Sequence, residues 1–591
     1  MHLTPSTAWA WLIACAAVIL FFPLAAQFGN FKGKLSSFRT WVWAIALLGI
    51  VTAGFIPFTF DTDIAYFEVQ PFIFFITGIL LGVLFLGEFH RLSALDKQEH
   101  TQRVHAERRT RYSKAVEHLA YPNPAVRASA ISTLAGLVDE WLADEQLSVE
   151  ARQKEGQVIV NALCAYVRSP FARAFKAEAF ESDTPPANYA GDFDTDLAAF
   201  RGEQDVRRSV FVEMSKRSSA LAENEKGEVV VVPGAWSGFE FDFSRAVVFY
   251  PLDGLTIENA DFASATFYGP ADFFGATFRG DTSFSAAQFT ADASFHGANF
   301  TGEVDFSDAV FSAAADFAVS TFESNADFSR LNTAGIASFA AITFDGKAIF
   351  TASTFHDEAH FAASVFNRPA VFSKSLFGGA ARFAGIVSKQ SAVFWDTSFA
   401  GSADFSGASF TQSAFFYEAS FAQAANFSGA SFIALPRTSY EDMDFAQRAN
   451  FDKATFAQDA DFSKATFTAH VGFGMVTFAR AVSFNGTSFE GAYFPGATFG
   501  QRADFRQTSF MYVKPSFEDL EERLQTARFS AQADPQDYLF EARPESRHGF
   551  SYGTATLLNR TFVLPLGTVL YDPDSWDEEM QDYTRFSEPA Q

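Results

Sequence analysis

The stretch ADFSGASFTQS, residues 403–413, decides the fold. Phe405 and Phe410 stand five apart, and Phe416 follows six further on, so the unit is eleven residues. Outward from it the phase holds. Upstream, Phe recurs at 262, 267, 273, 278, 284, 289 and 295, and the same slots run on through Phe317, Phe339, Phe361 and Phe383 to Phe427. Thr333 and Ser388 stand where a Phe is due. Two slips are expected. Two extra residues near Pro436 put Tyr440 in a Phe slot, and one residue is missing between Phe489 and Phe494. Neither five nor six fits the helical period of about 3.6. The pattern small–polar–Phe, as in Ala271-Asp272-Phe273, alternates, placing Ala and Phe on one face and the Asp or Thr on the other. Gly or a small polar residue follows, where the chain must turn. The expectation is a short strand and a corner repeated, each coil stacked on the last and the Phe rings buried in columns. Asp316 should then face water and Phe317 the core.

Ala403-Asp404-Phe405-Ser406-Gly407 and Ala425-Asn426-Phe427-Ser428-Gly429 resemble the motif of the pentapeptide-repeat family. The resemblance covers residues 239–516 and implies a right-handed, four-sided β-helix with one pentapeptide per side. The sixth residue in every second unit departs from that motif. It makes a coil of 22 residues and leaves the form of alternate corners open. About twelve coils at about 4.8 Å each give a rod of about 55 Å.

The chain of 591 residues opens on three apolar stretches, residues 8–26, 41–60 and 72–86. The first two have the roughly 20 residues a bilayer core requires, and the third reaches it with a few neighbours. Trp9, Trp11, Trp41 and Trp43 sit at their ends, where indole rings favour the headgroup zone. Lys32, Lys34 and Arg39 follow the first stretch, Asp61, Asp63 and Glu68 the second, and Arg91, Lys97, Arg103, Arg108, Arg109, Arg111 and Lys114 the third. Basic loops stay inside, so the N-terminus is expected outside and everything after residue 91 in the cytoplasm of the inner (plasma) membrane. Whether the basic run also binds anionic lipid is open.

Residues 92–222 read as a helical connector. Residues 92–120 are Pro-free and rich in helix formers, Tyr121-Pro122-Asn123-Pro124 stops them, and apolar stripes follow over 125–142 and 149–167. In pattern and order, residues 111–141, 158–168 and 205–217 resemble the HEAT-like helical leader of membrane-anchored bacterial pentapeptide-repeat proteins. Residues 182–202, with Pro185-Pro186 and several acids, read as a mobile loop. After the repeats, residues 517–528 read as a short amphipathic helix capping the solenoid, and the tail to 591 holds a β-like stretch at 561–571.

The fold class expected is thus a membrane-anchored chain of transmembrane helices (1–91), a helical module (92–222), a four-sided β-helix (239–516) and a cap with tail (517–591). Phe occurs 75 times, and the formal charge is −25. Over 251–510 there are 26 acids against 14 bases, which argues against nucleic acid as a partner. Cys15 and Cys164 form no disulfide framework or metal cluster. His356-Asp357-Glu358-Ala359-His360 departs from the zinc-helix spacing and sits in the β register. No catalytic, cofactor or metal residue is therefore expected, and the chain reads as no enzyme.

Three functions remain in view. The first is a membrane-held, non-catalytic interaction scaffold with an unknown protein partner on the solenoid, and a homo-oligomer is possible. The second is an inhibitor that imitates duplex DNA, as some pentapeptide proteins do toward type II topoisomerases. The third is a sensor or accessory subunit of a membrane complex. The acid slots Asp305, Asp316 and Asp327 give way to Ser338, Ile349, His360, Val371, Arg382 and Val393 before Asp404. Ile349, Val371 and Val393 lie 22 apart and should stack on one face as a weakly charged, apolar strip. That strip favours the scaffold.

Overall fold

The computed structural model describes residues 63–223, 229–433, 449–518 and 526–591, with isolated residues before 63. Two compact units divide the chain, Met1–Arg111 and Tyr112–Gln591. The first two expected spans lie almost wholly outside the described residues. The third lies within α1 (Asp63–Leu119), where Phe74, Phe75, Ile79, Val83, Phe85 and Leu86 are exposed. Among the described residues no helix is long and apolar enough to cross a membrane.

The helical module comprises the end of α1, α2 (Pro124–Leu142), α3 (Val149–Arg168), a 3₁₀ turn (Ala174–Phe180) and α4 (Phe193–Ser218). The starts of α2, α3 and α4 follow side-chain caps. Asn123 accepts from the Ala125 N–H, Ser148 from Ala151 and Asp192 from Thr195. The loop expected over 182–202 is therefore shorter. Its second half is the first turns of α4, because Phe193, Leu197 and Phe200 recur at helical spacing and are buried.

From Phe241 the chain winds as a β-solenoid. In one coil, Ala392–Val393 forms face 1, Ser398–Phe399 face 2, Ala403–Asp404 face 3 and Ser409–Phe410 face 4. Each pairs in parallel with its successor 22 residues on: Ala392 with Ala414, Phe399 with Phe421, Ala403 with Ala425, Phe410 with Phe432. Ala and Phe point inward and the polar residue outward, as the alternation requires. Rings stack along each column, as in Phe289–Phe311 at 4.3 Å and 1°, and meet the next column edge-on, as in Phe306–Phe317 at 5.2 Å and 87°. Each buried ring is worth about 1.5–3 kcal/mol. Thr333 and Ser388 occupy two core slots and are fully buried.

The alternating five and six residues produce two kinds of corner. The five-residue step holds a tight turn. Ala408 N–H donates to Phe405 O at 3.1 Å, and Gly407 has φ +61°. The six-residue step, as from Phe399 to Phe405, makes the wider corner. Positive φ recurs at the tight turns whether or not a glycine is there, as at Val319 (+62°) and Ala352 (+58°).

The expected slip near Pro436 is larger than two residues. Ala414 pairs with Ala449, thirty-five residues on in place of twenty-two, an insertion of thirteen. Tyr440 lies outside the described residues, and the ring that stacks directly on Phe416, at 4.8 Å, is Phe451. The shortened coil is as expected: Thr477 pairs with Thr498, twenty-one residues on.

The ends of the solenoid are both covered. At the first coils, Phe211 of α4 packs tilted against Phe243 at 4.6 Å, Phe200 lies 5.0 Å from Phe249, and Trp236 Nε1 donates to Asp139 at 3.2 Å. At the other end, the helix expected over 517–528 gives way to β structure at both its edges. Phe517 stacks on Phe494 at 5.1 Å, and Arg528–Ser530 is a strand paired with the Thr498–Phe499 rung; residues 519–525 lie outside the described residues. Val569–Tyr571 adds a further rung, so face 2 is one column of 14 strands. A hairpin, Tyr552–Leu557 with Arg560–Pro565, closes over Phe540 and Phe550.

Candidate interaction surface

On faces 1 and 3 the outward slot carries Asp or Asn for a local reason. The Asp316 carboxylate accepts from the Ala318 N–H at 2.9 Å, Asp327 from Ser329 at 2.8 Å, Asp404 from Ser406 at 3.0 Å, Asn426 from Ser428 at 3.0 Å and Asp461 from Ser463 at 2.8 Å. The residue two positions on opens the tight turn, so each side chain braces its own corner as an Asx turn. A brace of this kind contributes about 0.5–1.5 kcal/mol.

Face 1 abandons the brace for four successive rungs. Its outward ladder runs Asp305, Asp327, Ile349, Val371, Val393, Phe415, with neighbours paired residue on residue. The turn N–H groups of Thr351, Ser373, Trp395 and Tyr417 have no side-chain acceptor among the described residues. Face 3 loses the brace at Ser338, His360 and Arg382, but those side chains are polar. His360 and Arg382 each contact Glu358 at 2.8 Å; His360 lies in a strand, and His356 is exposed in the bend before it. The four-rung apolar ladder lies on face 1; face 4 carries only the two-rung pair Val365–Val387 among the described residues. An open groove of about 480 Å³ lined by Asp305, Asp327 and Ile349, among others, leads onto it.

The wide corner flanking the strip is basic, while the tight corner mixes Lys374 and Lys453 with Asp396 and Glu418. Lys347, Arg368 and Lys389 stand exposed on the wide corner and form no ion pair among the described residues. On the tight corner, Lys374 lies 5.4 Å from the centre of the exposed Trp395 ring, and Lys453 lies 4.9 Å from that of Tyr417. Glu418 is held below the usual carboxylate range, chiefly by its bond to Lys453. In a chain of charge −25 the basic wide corner is the exception.

The family model for pentapeptide repeats (9 copies) matches residues 253–299 and 471–509, at either end of the solenoid. The chain is a pentapeptide-repeat protein. No curated protein and no solved structure matches it. The two matched blocks of this repeat protein flank the strip, where the Asp of the motif is replaced.

Elsewhere the repeat protein holds buried polar groups with structural roles. Arg207, fully buried, bonds Glu203 at 2.8 Å and the carbonyls of Val167 and Ser169, while Glu203 also takes Arg127 and the Tyr166 hydroxyl. Burial pushes the Cys164 thiol up to about 12, which leaves it a poor nucleophile. No group of three metal-ligating side chains occurs among the described residues. The stacking period made the strip legible in sequence; the Asx braces and the basic wide corner were not, because both depend on which corner each residue occupies.

Proposed function

We propose that this pentapeptide-repeat protein is a non-catalytic interaction scaffold that docks a protein partner on the strip Ile349–Val371–Val393–Phe415, and that its N-terminal apolar segments hold it at the inner face of the plasma membrane. One observation carries the docking reading. Four successive rungs replace a stabilising turn brace by a half-exposed apolar side chain, a loss of stability with no gain in the core. Contiguous apolar surface of this kind marks interaction sites. The membrane part is supported by the three apolar stretches, by loop charges that run basic, acidic, basic, and by the exposed apolar band of α1. Imitation of DNA is disfavoured by the basic wide corner and by the interrupted acid ladder.

Two measurements test the reading. A photo-crosslinking residue at position 371 should give a discrete protein adduct in cells. Val371→Asp and Val393→Asp should abolish the same partner while leaving the melting temperature no lower, since each restores a brace. Loss of binding only through unfolding, or no adduct, would sink it. For the anchor, a cysteine near residue 591 should resist external labelling in intact cells; labelling there would overturn the orientation.

A further inference from the structure

The strip asks for an occupant with apolar tips and exposed carboxylates, and this chain carries one at its own C-terminal end. Strands Trp576–Asp577 and Asp582–Tyr583 pair as a small hairpin. At its tip Asp577 accepts from the N–H groups of Glu579 at 2.8 Å and Met580 at 2.9 Å, so the turn is set before any contact. Trp576 is 44 % exposed and Met580 68 %. Glu578 and Glu579 are exposed beside them and form no ion pair among the described residues. The hairpin base is fixed to the solenoid. Arg528 pairs with Asp582, Arg585 with Asp572 at 2.7 Å, and Tyr571 packs on Tyr583 at 4.3 Å.

The hairpin cannot fold back onto the strip of its own chain. On face 2 the rungs from Phe399, in the coil of Val393, run through Phe421, Phe456, Phe478, Phe499 and Phe529 to Leu570. Six steps at about 4.8 Å place the two about 29 Å apart along the axis. A second copy has no such restriction.

We propose that the occupant of the strip is the C-terminal hairpin of a second copy. Trp576 and Met580 cover Val371 and Val393, while Glu578 and Glu579 meet Lys347, Arg368 and Lys389. The inference rests on reading the strip as a docking surface. The contact joins two different patches, so it is heterologous and leaves a free strip at one end and a free hairpin at the other. Association then grows with concentration unless the geometry closes a ring. Because the rim charges are exposed, salt weakens it.

Sedimentation velocity of the full-length chain in detergent micelles tests this. Expected at low salt is concentration-dependent association that salt reverses. Glu578→Lys with Glu579→Lys should weaken it at least about tenfold, and so should Lys347→Glu with Arg368→Glu and Lys389→Glu. Mixing the two variants should restore association, because every contact between unlike copies is again charge-complementary, whereas each variant alone stays weakly associated. Trp576→Ala should weaken it without changing the charge. A monomer at all concentrations, or association indifferent to the hairpin substitutions, would overturn the inference. If Val371→Asp still removes another partner in that event, the docking surface stands and only its occupant is wrong.

Discussion

At the level of single residues, the outward Asp and the inward Phe of one repeat do different jobs. Phe317 is fully buried between Phe295 and Phe339, at 4.7 and 4.9 Å. Phe317→Asp would bury a charge without a partner and should cost more than about 4 kcal/mol, fraying the neighbouring coils. Asp316 faces solvent, but it is not idle. It braces the Ala318 N–H and lies 3.2 Å from His296 Nδ1. Asp316→Ala should therefore cost about 1 kcal/mol rather than nothing. Chemical denaturation of the two variants checks the ratio; equal losses would mean that inward and outward are misassigned. Val319 carries a β-branched side chain at φ +62°, where the left-handed conformation crowds Cβ. Nothing at that corner requires Val, so Val319→Gly should stabilise the protein by up to about 1 kcal/mol after glycine's own entropic cost. A lower melting temperature would contradict this.

Among the elements, the junction between α4 and the first coils holds a carboxyl that burial pushes well above its ordinary value. Glu258, 2 % exposed, ends a strand beside Ser218, the last residue of α4, and one of its oxygens has no partner. Burial raises its carboxyl to about 6, against the pull of Arg279 and the Ser218 hydroxyl. The folded chain thus holds this proton more tightly than the unfolded chain, whose value is near 4.5. Stability falls as pH rises between those two values and stays lower above about 6. Glu258→Gln should remove this dependence, stabilising the junction by on the order of 1–2 kcal/mol at about pH 8 and little at about pH 4. Hydrogen exchange of the strands around Glu258 is the measurement. The same protection in variant and parent at both pH values would refute the burial argument.

For the molecule as a whole, stability requires closed ends as well as stacked coils. Phe499 is covered by Phe529 at 4.6 Å and Phe505 by Phe540 at 5.3 Å, residues that lie beyond the recognisable repeats. A chain ending at residue 516 would leave those rings and an open strand edge bare. It should aggregate irreversibly, whereas the full chain should remain soluble at high salt; size-exclusion chromatography at high salt checks this. A soluble, monodisperse truncated chain would show that the C-terminal rungs are dispensable.

The eleven-residue Phe period determined by itself that the chain is a solenoid with Phe inside and small polar residues outside. That is local information. Alternation along a strand sets which side chains turn inward, and a coil of constant length brings like residues into register. Thr333, Ser388 and the shortened coil after Phe489 were readable on the same terms. The thirteen-residue insertion was not, since Tyr440 and Phe451 are equally good candidates until stacking on Phe416 chooses between them. The rungs at Arg528 and Val569 share too little with the motif and are recruited by the open end of the Phe columns. The helical start at Phe193 was hidden by acids and prolines, although its apolar spacing was present. The Asx braces, the buried Glu258 and the cations on both sides of the strip were decided by tertiary structure alone. Each depends on what a corner or a neighbouring coil brings within a few ångströms, and a period in the sequence carries no distance across coils.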